Sequence, residues 1–443
     1  MKRAKIVTAV GAGIAGGAVA LFGGVFREAS PPAIAAPPAA SVKDSAVLTQ
    51  LLAGLAENDT KAYVAKLERR NAVAGGDPIA QLLLGLAYQQ RARETGDPRF
   101  FTLSDGALRT ARANPTTVGL AETGLASLAV SRHRFATALP LARAALRGDP
   151  ANATALGALG DAYLNLGRYR RAFAAYNRMA LLSPSVASYS RIAHARELLG
   201  RPQAAAEALD LALTLRVPLR EHRAAAFVQL GNVKFNTGDL LGARRSYSAA
   251  LRAFPGYVHA EAGLGHTEAA LGDFRRAVPL LRQVVEHLPL PQYAIWQGDT
   301  LRAAGFAAAA RRAYSLIPVI ELVQAANGVR TDLQTALFDL DHSRALPDAL
   351  SRARHAHERS PSIDADDVLA WALARNGRCE EALPHSVHAL RFGTHDALKL
   401  FHRGMIERCL RHGHEAKTWF RRALALNRHF SLLWAPVAER YAA

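Results

Sequence analysis

The chain has 443 residues, half of them hydrophobic, and carries a formal net charge of +18. That length suggests several domains, and the basic balance points to anionic surroundings: acidic proteins, anionic lipid, envelope polymer or nucleic acid. Two cysteines, Cys379 and Cys409, with no CxxC or C-x-x-H spacing, exclude a disulfide-built fold and a cysteine-rich structural zinc site.

Residues 1–35 have the pattern of an export signal. Lys2, Arg3 and Lys5 precede a Gly/Ala-rich apolar run, and Arg27 and Glu28 close it. Ala33-Ile34-Ala35 is an A-x-A cleavage site by pattern. The apolar run is also long enough to span a bilayer, so an uncleaved anchor stays open. Either outcome places the rest of the chain outside the cytoplasm, secreted or anchored in the cell membrane. Residues 36–45 form a Pro/Ala linker. Leu48, Leu51, Leu52 and Leu55 then mark one face of a helix that opens a long helical array over residues 46–430.

The array is a repeat with a period of about 34 residues. Its best copy carries Leu159, Gly160, Tyr163, Gly167, Ala172, Tyr176, Ala180 and Pro184, and a later one Leu230, Gly231, Gly238, Ala243, Tyr247, Ala250 and Pro255. Leu159 and Tyr163 share one face of a first helix; Ala172, Tyr176 and Ala180 line a second. Gly167 permits the turn between them, and Pro184 ends the second helix. A degenerate copy begins near Gly75, another near Gly119, and a looser one covers residues 186–219 around Gly200 and Leu209. Further copies centre on Gly265 and Leu281, on Gly298 and Tyr314, on Leu340 and Ala349, on Leu369 and Ala382, and on Gly404 and Phe420. Residues 319–329 are read as an atypical insert that interrupts the register. Residues 431–443 are expected to form a C-terminal capping helix, with Trp434 and Tyr441 over the open end.

On these residues the chain resembles the tetratricopeptide repeat family over most of its length. Segments such as DVLAWALARNGRCEEALPHSVHALRFGTHDAL also resemble multi-repeat exported proteins of GC-rich bacteria, in keeping with abundant alanine and arginine over lysine. The resemblance implies an all-α fold: a right-handed α-solenoid of about ten helical hairpins with capping helices. Its first helices would line a concave groove that holds an extended peptide or a partner's helix.

In that family the ninth position of each first helix faces the groove. Here it holds Asp161, His194, Asn232, His266 and Asp299 in five successive repeats, which is the expected partner-binding column. Lysine is scarce in the repeats, Lys234 being an exception, so a clamp for a C-terminal carboxylate is not expected.

Asp332, Asp339, Asp341 and His342 crowd the insert, where helix capping is the preferred reading over a metal or acid/base site. Histidines crowd the C-terminal third: His355, His357, His385, His388, His395, His402, His412, His414 and His429. His355 and His357, two apart, do not face one way on a helix, whereas His385 and His388 do; surface scatter is preferred to metal binding. Cys379 and Cys409 fall where they could meet across a repeat boundary, but two unpaired thiols are preferred. No nucleophile elbow, phosphate-binding glycine loop or HExxH appears, so neither an enzyme nor a cofactor is expected. With no Lys/Arg cluster interleaved with aromatics, nucleic acid is not the expected partner. The function expected is a protein-interaction scaffold at the cell envelope. The alternative is a basic adhesion module that binds anionic envelope polymer or lipid.

Overall fold

The computed structural model describes residues 54–55, 59–74, 76–215 and 219–443. The expected signal or anchor, the linker and most of the first helix lie outside these residues. Among the described residues every regular element is a helix, and none is long and apolar enough to cross a membrane.

Helix α1 (Thr60–Ala74) leads into ten antiparallel hairpins. They are α2 (Pro78–Thr95) with α3 (Arg99–Arg112), α4 (Val118–Ser131) with α5 (Phe135–Gly148), α6 (Ala153–Asn165) with α7 (Tyr169–Leu182), and α8 (Val186–Leu198) with α9 (Pro202–Thr214). Next come α10 (Arg220–Asn236) with α11 (Leu240–Ala253), α12 (Val258–Ala270) with α13 (Phe274–His287), and α14 (Pro291–Ala303) with α15 (Ala307–Ser315). The residues read as an insert form most of an extra helix, α16 (Ile317–Ala326). The last three hairpins are α17 (Asp332–Asp341) with α18 (Leu346–Arg359), α19 (Ile363–Arg375) with α20 (Cys379–Ala389), and α21 (Ala397–Cys409) with α22 (Gly413–Leu426); α23 (Ala435–Ala442) closes the array.

Each hairpin follows from local chemistry. Short polar side chains cap first-helix N-termini: Asn152 accepts from the Ala155 amide at 2.9 Å, and Ser185 with Ser188 makes a capping box. The turn within a hairpin needs one residue in the left-handed region, filled by Gly167, Gly200, Gly238, Gly272, Gly305 and Gly377. His133, Ser343 and Arg411 take the same conformation at the corresponding turns of three other hairpins. Inside, a first-helix glycine receives a second-helix ring. A Cβ on Gly160 would lie 2.4 Å from Tyr176, on Gly231 2.5 Å from Tyr247, on Gly298 2.1 Å from Tyr314, and on Gly404 2.7 Å from Phe420. Fully buried alanines such as Ala172, Ala243 and Ala382 let the helices close on these rings.

The solenoid also touches itself. Residues about 190 positions apart meet along a seam. The His133 ring Nδ1 lies 2.7 Å from the Arg330 carbonyl, and Tyr169 Oη accepts from the Ile363 amide at 2.8 Å. Thr394 Oγ1 donates to the Leu198 carbonyl at 2.7 Å, and Asn427 Nδ2 to the Phe235 carbonyl at 2.8 Å. These pairs are separated by 197, 194, 196 and 192 residues, so the chain completes one superhelical turn over that length and the next turn packs on it. The segment after α16 joins the seam, where Asn327 accepts from Thr102 and the Gly328 carbonyl from Arg134.

The C-terminal hairpins hold the largest buried rings. Trp371 stacks on His402 with centroids 4.6 Å apart and meets Trp434 edge-on at 5.7 Å. Both indoles donate to Asp341, at 3.0 and 2.9 Å. Cys379 and Cys409 are joined as a disulfide, with Cα atoms 6.0 Å apart. This corrects the preference for unpaired thiols. The start of α20 abuts the end of α21, because consecutive hairpins pack with their first and second helices alternating.

Candidate functional site

The five-residue column divides by what faces it. Tyr176 donates to Asp161 at 2.8 Å, Tyr247 to Asn232 at 2.7 Å, and Tyr314 to Asp299 at 2.6 Å, always across 15 positions. The ring that covers the glycine carries its hydroxyl to the next residue of the first helix. In the two repeats where that ring is replaced by Leu209 or Leu281, the column residue is histidine, His194 or His266. The acceptor side chains are thus partners of the fold's own tyrosines.

Further contacts separate the five. Arg191 grips Asp161 at 2.7 and 2.9 Å, joining adjacent repeats. His342 reaches Asp299 at 2.8 Å. His266 stacks flat on Trp296 with centroids 4.1 Å apart, and burial lowers its pKa to about 4, so it is neutral at physiological pH. His194 and Asn232 remain exposed.

His194 stands in a recess facing the next turn, and Asn232 is exposed on the following repeat. The protein around His194 desolvates the exposed imidazole and holds it below its ordinary pKa, against the pull of Asp364 and Asp161. Burial pushes the Glu197 carboxyl up to about 7, opposed by Asn236 and Lys399. Lys399 is itself held at 2.8 Å by Asp364 and 2.6 Å by Asp396. Asp364, Asp396 and Lys399 belong to α19, the loop before α21 and α21, one superhelical turn beyond α8 and α10. The recess is therefore lined from both turns.

The acidic cluster around the insert does not converge. Asp332 pairs with Arg359 at 2.5 Å, and Asp339 lies 3.8 Å from Arg344. Asp341 takes the two indoles, while His342 turns to Asp299.

Several histidines read as scatter do converge. Buried Asp366 lies 2.9 Å from His357 Nε2, 3.3 Å from His385 Nδ1 and 2.5 Å from His388 Nδ1. Sequence reasoning missed Asp366, whose partners come from two other helices; the one legible sign was the His385/His388 spacing.

His402, fully buried, sits 3.0 Å from Asp367. Burial opposes its charge, but Asp367, with Asp341 and Asp396, more than offsets this and raises the imidazole above 6.5. A raised folded pKa contributes stability that is complete below the unfolded value and is lost as pH rises through the folded one. Melting temperature should therefore fall as pH rises from about 6 to 8, and His402→Gln should flatten that fall. Equal slopes for the two proteins would show His402 to be uncharged in the fold.

Residues 123–187 match the family model for the tetratricopeptide repeat. No curated protein matches the chain. Among solved structures, the chain is similar to PilW, described as a widely conserved type IV pilus biogenesis factor. The identity is 19% over 46% of this chain and 93% of that one, with a TM-score of 0.39. It is similar to MamA at 24% identity over 37% of this chain and 93% of that one, TM-score 0.29. It is also similar to a human IFIT1 dimer with PPP-AAAA at 13% identity over 87% of this chain and 93% of that one, TM-score 0.47.

Proposed function

We propose that this chain, a member of the tetratricopeptide repeat family, is a non-enzymatic protein-interaction scaffold at the cell envelope. It holds a peptide or a partner's helix along the inner face of its spiral. Repeats of this family bind protein partners. The observation that carries the reading is the recess. Its exposed polar groups, His194 and Asn232, stand on successive repeats, and His194 faces Asp364 and Lys399 of the next turn. A polar, partly desolvated wall suits a backbone that needs hydrogen-bond partners. Asp161 and Asp299, elsewhere in the column, are already engaged by Arg191 and His342.

Two observations support the envelope. Residues 1–35 have the export pattern. The Cys379–Cys409 disulfide belongs to an oxidising compartment.

Envelope extract passed over the immobilised chain tests the proposal. A defined protein should stay bound in about 0.5 M salt. Its affinity, remeasured with the purified pair, should drop at least about tenfold in His194→Ala/Asn232→Ala, a loss of about 1.4 kcal/mol. Retention of only salt-sensitive anionic material would favour basic adhesion instead.

A further inference from the structure

The geometry points to a divalent transition-metal site, with zinc as the natural probe, formed by His357, Asp366 and His385. The residues come from three consecutive helices: His357 from α18, Asp366 from α19, and His385 with His388 from α20. His385 and His388 are three apart and share a helix face. The nitrogen of His357, the nitrogen of His385 and a carboxylate oxygen of Asp366 all lie within 4.8 Å of one another. Both nitrogens converge on one oxygen, Oδ1, at 2.9 and 3.3 Å. Ligand atoms around a tetrahedral zinc stand about 3.3 Å apart when the bonds are about 2.0–2.1 Å. The side chains are thus spaced for an ion between them with little movement.

The other carboxylate oxygen has its own partners. His388 Nδ1 lies 2.5 Å from Oδ2, and the Arg391 guanidinium 3.6 Å from it. Arg391 is held over the rings of Tyr169 and Phe392, at 5.0 and 4.7 Å. Arg391 already compensates the buried charge of Asp366. Two further imidazoles on Oδ1 exceed what a structural ion pair requires. Paired imidazoles and a carboxylate suit zinc, copper or nickel rather than calcium or magnesium. With Oδ1 on the metal, Arg391 would orient the carboxylate through Oδ2, as groups behind metal ligands do. His357, His385 and His388 are each partly accessible, which leaves a path for entry. The site would fix the middle of α20, whose first residue is already tied to α21 by the disulfide.

The full-length, chelator-stripped, untagged chain should bind one zinc ion when titrated with zinc chloride. With cobalt(II) it should develop the intense visible absorption of a tetrahedral site. His357→Gln/His385→Gln should weaken zinc binding by more than about 100-fold. Its apo melting temperature should stay close to that of the wild type, because Asp366 keeps His388 and Arg391. His412→Gln, which alters a histidine on Glu407, should leave binding unchanged. No zinc retained at micromolar free ion, or binding that survives the double substitution, would overturn the site. An apo melting point that collapses in the double variant while wild type binds no zinc would show a purely ionic cluster.

Discussion

Gly200→Ala should destabilise the protein far more than Gly272→Ala, although both glycines make the same turn. Both are left-handed, with φ of +67° and +82°. An alanine in that region costs about 1–2 kcal/mol wherever it sits. A Cβ on Gly272 meets nothing within 4 Å, whereas one on Gly200 would lie 2.2 Å from the Gly393 carbonyl oxygen. That oxygen is backbone and cannot step aside without separating the turns. The clash adds about 1–3 kcal/mol and breaks the neighbouring bond from Thr394 to Leu198. Chemical denaturation should show the larger loss for Gly200→Ala, and small-angle scattering a larger radius. Equal losses with unchanged radii would mean that the turns do not pack in solution.

Trp371→Ala should cost about 3–5 kcal/mol, the range for removing a fully buried large ring. Its ring is 1% exposed and is shared by His402, Phe401 and Trp434. Its Nε1 is one of two indole donors that satisfy Asp341, a carboxyl that burial drives upward in pKa. Loss of that donor adds a desolvation penalty. Unfolding should split, the C-terminal hairpins melting first. Trp371→Phe should recover part of the ring's contribution but not the hydrogen bond. A single transition within about 1 kcal/mol of wild type would remove Trp371 from the centre of this core.

The repeat was legible because every copy satisfies the same local demands: a small residue under a ring, a left-handed turn, a helix stop. The columns at Gly160/Tyr176 and Gly231/Tyr247 are the fold written at fixed offsets. The tyrosine-to-acceptor bonds went unread, although Asp161, Asn232 and Asp299 precede a tyrosine by 15 positions and His194 and His266 do not. The seam was not legible. It arises from a small rotation accumulated over six hairpins, which no local pattern encodes. Nor was the gathering of His357, His385 and His388 on Asp366, because the aspartate lies on a helix between theirs. Residues 319–329 looked irregular because they break the period, yet most of them are helical. The disulfide was read the wrong way because spacing alone leaves the relative rotation of α20 and α21 open.

The seam changes how the array should share stress. In an open stack each repeat meets only its predecessor and successor, so stability spreads as in a one-dimensional chain and ends fray independently. Here Leu198 and Phe235 accept bonds from Thr394 and Asn427, so repeats six apart also hold one another. The molecule is closer to a sheet of repeats rolled into a tube. Fraying at the last hairpins uncovers the rim of the third, fourth and fifth.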